Sequence, residues 1–170
     1  MINISEILSL KNLKVTGGDL DKIKGFSGCS IDSRSIKKNE IFVAIKGENT
    51  DGHNYINQVF ERGVKAAIVN NSWLKKNNAL KGKILFSVSD TIKSLGELAL
   101  IHKRKYQIPV YCIGGSNGKT STKDLTAHIL KGKYNLLSTK GNLNNHIGLP
   151  LTLLNLNLKH DLCLLEVGSN

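Results

Sequence analysis

The sequence predicts an α/β protein built as two successive units, residues 1–87 and 88–170, and three observations carry that expectation. Short apolar runs alternate with helix-compatible segments along the chain. One run, Ile108 to Ile113, breaks into Gly114-Gly115-Ser116-Asn117-Gly118 and then into a helical pattern. Strand, glycine-rich turn and helix in that order open a mostly parallel sheet of the phosphate-binding kind. A final run, Leu162-Cys163-Leu164-Leu165, ends on Glu166, at the C-terminal edge of an expected parallel strand. Ligands of open α/β sheets collect at that edge.

In the first unit, Ile4, Ile7, Leu8 and Leu10 repeat at roughly helical spacing. Gly17, Gly18 and Gly25 read as loop with at most a short strand. Cys29-Ser30-Ile31 reads as a strand end, with Asp32-Ser33-Arg34 as the polar turn after it. Ile41 to Ile45 is a buried strand bounded by polar residues. The turn-rich Glu48 to His53 then feeds a helix carrying Tyr55, Ile56, Val59 and Phe60, closed by Gly63. Ala66 to Val69 and Ile84 to Val88 are further strands, with Trp73 and Leu74 on a short helix between them.

The second unit opens on Asp90, an N-cap for a helix through Leu95, Leu98, Ala99 and Ile101. Pro109 starts the strand before the glycine-rich turn. Thr120 to Lys131 is the helix after the turn, with Leu125, Ile129 and Leu130 expected against the sheet. Asn135 to Ser138 is a strand, Thr139 to Gly148 a polar loop, and Pro150 begins a helical turn. Leu162 to Leu165 reads as an interior strand still lacking a neighbour.

Composition narrows the function classes. The 170 residues are 40% hydrophobic, enough for a core, and no apolar stretch reaches the ~20 residues of a membrane helix. Met1 to Glu6 lacks the features of a secretory signal. Cys29, Cys112 and Cys163 show no C-x-x-C spacing. Cys112 and Cys163 lie in apolar runs and read as small buried hydrophobes of a reducing compartment, which points to the cytoplasm. The net charge of +11 suits a nucleotide-bearing substrate. Its lysines are scattered, however, and the densest run, Lys103-Arg104-Lys105, sits late in a helix where cations complement the dipole. With no basic stripe interleaved with aromatics, nucleic acid is not the expected partner.

The chemistry-bearing residues cluster late. Gly115-x-x-Gly118-Lys119-Thr120 is a shortened phosphate loop, with Ile113 where the longer pattern has its first glycine. Glycines let backbone N–H groups approach phosphate oxygens, Lys119 would reach the β- and γ-phosphates, and the Thr120 hydroxyl would ligate Mg²⁺. Taken alone, the motif also fits an ordinary β–α turn with a solvated lysine. Glu166 fits a surface residue at a strand end as well as an Mg²⁺ ligand beside the phosphates. Asn142, Asn144 and Asn145 offer amide donors and acceptors, or simply favour the turn they occupy.

Taken together and in order, Gly115 to Ser121, Gly141 to Leu154 and Glu166-Val167-Gly168 resemble the Mur ligases, the ATP-dependent amide-bond formers of peptidoglycan precursor synthesis. Upstream, Asp32-Ser33-Arg34, Phe42 to Gly47 and Asp51-Gly52-His53 are similar to the uridine-nucleotide domain of the later-acting members. The resemblance implies a UDP-sugar-binding domain over 1–87 and the start of a P-loop ATPase domain over 88–170. It implies that Gly115, Ser116, Asn117, Gly118, Lys119, Thr120 and Ser121 bind ATP, that Thr120 and Glu166 hold Mg²⁺, and that Lys119 and Glu166 are catalytic. Ser33, Arg34 and His53 fall to the uridine diphosphate, and Asn142, Asn144 and Asn145 to the path of the UDP-sugar. The asparagine-rich loop points to the member that joins D-Ala-D-Ala to UDP-MurNAc-tripeptide through an acyl phosphate. The member adding the third amino acid, and a non-catalytic nucleotide-binding module, are the alternatives. Mur ligases continue beyond the E-x-G motif with the rest of the ATPase domain and a third domain. The expectation is therefore an N-terminal portion that does not ligate by itself.

Overall fold

Ile41 to Val43, Ala66 to Val69 and Ile84 to Val88 contain one polar side chain, Ser87, and all of them are buried. Runs so continuously apolar belong to strands covered on both faces, as in parallel sheets with helices on each side. The structure, a computed structural model, describes residues 1–77 and 82–168, and it forms two compact units that divide between Leu98 and Ala99.

In chain order the first unit contains β1 (Ile2–Asn3), α1 (Ile4–Leu8), β2 (Lys14–Thr16), β3 (Gly25–Phe26), β4 (Gly28–Ser30), β5 (Glu40–Val43), α2 (Ile56–Glu61), β6 (Ala66–Asn70), α3 (Asn71–Lys76) and β7 (Ile84–Val88). β1 and β3 pair antiparallel as a small ribbon. The main sheet has the order β2-β7-β6-β5-β4, parallel except for β2, which runs antiparallel along β7. The short strand allowed for in the stretch around Gly17 and Gly18 is β2, an edge strand just before them. One face of the sheet packs Phe42, Ala67, Val69 and Leu85 against Ile56, Val59 and Phe60 of α2, with Trp73 and Leu74 of α3 alongside. Those helical residues repeat at three- and four-residue spacing, the stripe a sheet-facing helix needs. The C-terminal ends of β4 to β7 release the turns that carry Asp32-Ser33-Arg34, Asp51-Gly52-His53, Asn70 and Asp90.

α4 (Thr91–Arg104) carries the division between the units, and the Asp90 carboxylate caps it, accepting from Ile92 N at 2.9 Å and Lys93 N at 3.0 Å. The second unit follows with β8 (Val110–Ile113), α5 (Lys119–Lys131), β9 (Leu136–Ser138), α6 (Gly148–Leu153) and β10 (Leu162–Glu166). Its sheet has the order β8-β10-β9, parallel throughout. Cys163 and Leu165 join Tyr106 and Leu156 in a core that Val110, Leu137, Leu149 and Leu153 complete.

Three expectations about this unit need correction. β10 is the central strand and already has both neighbours, so the edges fall on β8 and β9. Cys112 is accordingly exposed on the β8 edge rather than buried, with Tyr111 beside it 56% exposed. Cys163 is the buried cysteine, and burial pushes its thiol pKa up to about 12. On α5, Lys123 and Ala127 face inward, while Leu125 and Ile129 are 64% and 67% exposed. Two residues separate Leu125 from each of the inward positions, roughly 200° around a helix. The apolar pair therefore shares a face, but the outer one.

The turn between the asparagine loop and α6 depends on Gly148, whose backbone approaches Leu143 so closely that a Cβ would lie 2.4 Å from the Leu143 Cα. Backbone cannot give way as a side-chain tip does. Gly148→Ala is expected to destabilise the second unit by ~1–3 kcal/mol, read as a lower denaturant midpoint. An unchanged midpoint would show that the loop retreats freely.

Candidate functional site

The loop from Gly114 to Gly118 joins β8 to α5. Gly115 and Gly118 adopt φ of 142° and 74°, a region L side chains rarely enter, which fixes glycine at both positions. A Cβ on Gly114 or Gly118 would meet nothing within 4 Å, so open space lies before the loop backbone. The first turn of α5 adds N–H groups without helical partners and the positive end of the helix dipole. Lys119 folds back over this loop, its Nζ donating to Gly115 O at 2.6 Å and Ser116 O at 3.2 Å. Ser116, Asn117, Thr120 and Ser121 are all exposed around it.

Glu166 ends β10 next to this loop, and its residue is only 2% exposed. Its Oε1 accepts from Thr120 Oγ1 at 3.1 Å and from Asn144 Nδ2 at 2.8 Å. Its backbone N–H donates to Thr139 Oγ1 at 3.0 Å. Oε2 is buried with no hydrogen-bond partner. Leaving a charged oxygen buried and unmatched costs more than the ~1–3 kcal/mol of a neutral group. A hard cation with oxygen ligands relieves that cost, and Mg²⁺ needs only one or two protein oxygens when phosphates and water complete its shell. Among the described residues no group of three or more His, Cys, Asp or Glu side chains could hold a metal. The pair Thr120 and Glu166, beside an open anion loop, fits Mg²⁺ brought with a nucleotide.

The three asparagines of the loop behave differently from one another. Asn144 points its amide at Glu166. Asn145 spends its Oδ1 on Ile147 N (3.1 Å) and Gly148 N (2.9 Å), heading α6. Asn142 is exposed, and its carbonyl accepts from Asn144 N at 2.8 Å. Thr139 and the buried Lys123 were not legible as part of this cluster. Only the inward phase of Ala127, one turn on, carried a signal for Lys123.

In the first unit, Ser33 is buried and Arg34 exposed on the turn after β4. Arg34 forks onto Asp32, Nε to Oδ1 and Nη2 to Oδ2, each at 3.0 Å, and these bonds hold the Asp32 carboxyl below the usual carboxylate range. His53 is 5% exposed. Its Nε2 lies 3.0 Å from Asn70 N, which can only donate, so Nε2 is the acceptor and the ring proton sits on Nδ1. Nδ1 then donates to Asp51 Oδ1 at 2.6 Å. Both ring nitrogens are thus engaged inside the fold. They brace the turns after β5 and β6 against each other. The His53 ring also lies 5.7 Å from that of Trp73, in a cleft of ≈ 460 Å³ that Lys46, Asn70 and Asp90 help to line. Ser33 and Arg34 are not part of that lining.

With this geometry in place, comparison with known proteins is decisive. Residues 25–110 match the family described as "Mur ligase family, catalytic domain", and residues 113–170 match the "Mur ligase middle domain". The chain belongs to the Mur ligase family. Its similar family members include the UDP-N-acetylmuramoyl-tripeptide–D-alanyl-D-alanine ligase of Bacillus subtilis, 37% identical over 141 residues, or 83% of this chain and 30% of that one. The enzyme of that name from Escherichia coli is 34% identical over 99% of this chain and 35% of its own length. Among Mur ligase structures, MurF from Acinetobacter baumannii superposes with a TM-score of 0.82 at 30% identity, over 98% of this chain and 36% of that one. MurF from Thermotoga maritima, crystallised in complex with ADP, gives 0.70 at 29% identity over 84% and 32%. The chain therefore spans about a third of the length of these relatives.

The site gives two expectations. Glu166→Gln replaces the orphaned oxygen by an uncharged amide, so the metal-free chain is expected to melt no lower than the parent, while stabilisation by Mg²⁺ with ADP disappears. Retained Mg²⁺ stabilisation would exclude Glu166 as a ligand. At Asp51 burial raises the carboxyl pKa, but the hydrogen bonds from His53 outweigh it and the net value is lowered. A depressed acid stabilises the fold above its unfolded pKa and loses that contribution as pH falls through the folded value. Asp51→Asn is thus expected to flatten the acid limb of an unfolding-versus-pH curve between roughly pH 5 and 2, and an unaltered limb would show that the pair contributes nothing.

Proposed function

We propose that this chain supplies the UDP-sugar and ATP sites of a ligase that joins D-alanyl-D-alanine to UDP-N-acetylmuramoyl-tripeptide. The observation that carries the reading is the orphaned, buried Glu166 oxygen beside an open phosphate loop, in a chain similar to ligases of that name over nearly all its length. Residues 88–170 take ATP through the loop Gly115 to Ser121, and residues 1–87 take the uridine nucleotide through Ser33 and Arg34. Asn142 and Asn145 lie along the sugar path. ATP use places the reaction in the cytoplasm.

The tripeptide carboxylate is a poor electrophile until one of its oxygens becomes a leaving group. Transfer of the γ-phosphoryl group to that oxygen releases ADP and forms an acyl phosphate. The dipeptide amine then attacks the carbonyl carbon, phosphate departs with the oxygen, and the amine gives up a proton. In this chain the loop N–H groups and the dipole of α5 cradle the phosphates, and Lys119 exchanges its two carbonyl partners for phosphate oxygens. Thr120 and Glu166 would hold Mg²⁺, which would supply positive charge to the phosphates. Asn144 keeps Glu166 from rotating away.

Lys119→Ala is expected to weaken Mg·ATP binding by calorimetry while leaving UDP-MurNAc-tripeptide binding intact. Equal loss of both ligands would mean unfolding, and no loss of either would remove the loop from the ATP site. The substrate assignment is read from a chimera in which this chain replaces the matching third of the Bacillus subtilis relative. Phosphate release is expected only with ATP, UDP-MurNAc-tripeptide and D-Ala-D-Ala together, and release with a single free amino acid in place of the dipeptide would favour the member adding the third residue.

A further inference from the structure

Lys123 is a charged residue at an inward position of α5, 4% exposed. Taking an ammonium out of water is costly unless partners replace the lost hydration, and a methionine would fill a similar volume without that penalty. Its Nζ lies 2.6 Å from Asp124 Oδ1, on a side chain that is 66% exposed, and it donates to the carbonyl oxygen of Thr139 at 3.2 Å. The second contact occurs where the parallel ladder between β9 and β10 stops. Thr139 N still donates to Leu164 O at 3.1 Å. In a regular ladder the next bond would run from Glu166 N to the Thr139 carbonyl. Here the Thr139 hydroxyl takes that N–H instead, at 3.0 Å, and the carbonyl goes to Lys123. Thr139 is 2% exposed, so neither of its oxygens has water as an alternative.

We propose that Lys123 is a positioning residue for the Mg²⁺ carboxylate: by holding the Thr139 carbonyl it frees the Thr139 hydroxyl to fix the backbone of Glu166. The inference rests on the reading of Thr120 and Glu166 as the Mg²⁺ site. Without the ammonium, the Thr139 carbonyl recaptures the Glu166 N–H, the peptide turns, and the Glu166 carboxylate no longer faces the hydroxyl of Thr120 at the same angle. Lys123 needs no contact with nucleotide or metal to do this.

The test uses the whole 170-residue chain with Lys123→Met, Thr139→Val and the double variant. Two quantities are read: hydrogen exchange of the Glu166 amide in the metal-free chain, and ADP affinity measured once with Mg²⁺ and once with EDTA. Thr139→Val is expected to speed exchange at Glu166, because Lys123 still holds the carbonyl, whereas Lys123→Met keeps the amide protected by the recaptured carbonyl bond. Each single variant is expected to shrink the Mg²⁺ enhancement of ADP affinity by about tenfold, the usual scale for a group that orients a metal ligand. ADP affinity in EDTA stays at the parent value, a split that general loosening of the fold would not produce. Because both residues act through one bond, the double variant loses no more than either single one. A folded Lys123→Met chain with the parent's Mg²⁺ enhancement, or losses that add, overturns the proposal. If Lys123→Met does not fold, Thr139→Val decides, since unchanged Mg²⁺ enhancement there breaks the same chain of contacts. A parent chain without any Mg²⁺ enhancement would instead defeat the nucleotide-site reading, and this inference with it.

Discussion

The second unit is organised by one constraint, a carboxylate buried at the end of its central strand. Register makes the arrangement possible. Glu166 pairs with Ile113, the last residue of β8 before the phosphate loop, and Val167 N donates to Ile113 O at 2.9 Å. The acidic side chain and the loop are therefore neighbours by strand pairing, before any side-chain contact forms. Side chains alternate between the faces of a sheet, so a slip of one residue in β10 would turn Glu166 to the opposite face and bury its charge among Tyr106, Leu149 and Leu153. The apolar residues that hold the register, Cys163 and Leu165 on one face and Leu162 and Leu164 on the other, thus hold the chemistry as well.

The first unit solves a different problem with similar means. Four parallel strands end at one edge of its sheet, and each releases a turn rich in polar groups. Such turns would splay without cross-links. His53 ties the turn after β5 to Asn70, the last residue of β6, and Asn70 Nδ2 reaches Ser89 O at 2.7 Å after β7. Arg62 reaches back from the end of α2 to Arg34 O at 2.9 Å. Side chains that look like ligand contacts in the sequence are in part the stitching that keeps the edge in shape.

Much of this was legible in the sequence where a residue's role follows from its neighbours in the chain. The strands from β4 onward, the cap at Asp90, the glycine-rich turn and the acidic end of β10 all rest on local pattern, whereas the short β1 and β3 did not announce themselves. Roles fixed by partners distant in sequence were not legible. The helical stripe of α5 offered Leu125 and Ile129 as the sheet face because apolar residues usually point inward. The structure turns Lys123 inward instead, since a carbonyl 16 residues away needs its donor. Cys112 read as buried because its run is apolar, and exposure depends on where β8 stands in the sheet order. The bracing role of His53 was hidden for the same reason, because its Nε2 acceptor is engaged by the backbone of Asn70.

Lys119 draws out a consequence of its own. Its ammonium already gives two of its three donors to carbonyls of the loop it guards, so an arriving anion meets it engaged instead of bare. The exchange returns two carbonyl dipoles to solvent as phosphate oxygens take their place. A chain of linked phosphates offers several oxygens to the ammonium, the helix end and the loop amides together. The self-bonded lysine thus ties the loop to the helix that follows it.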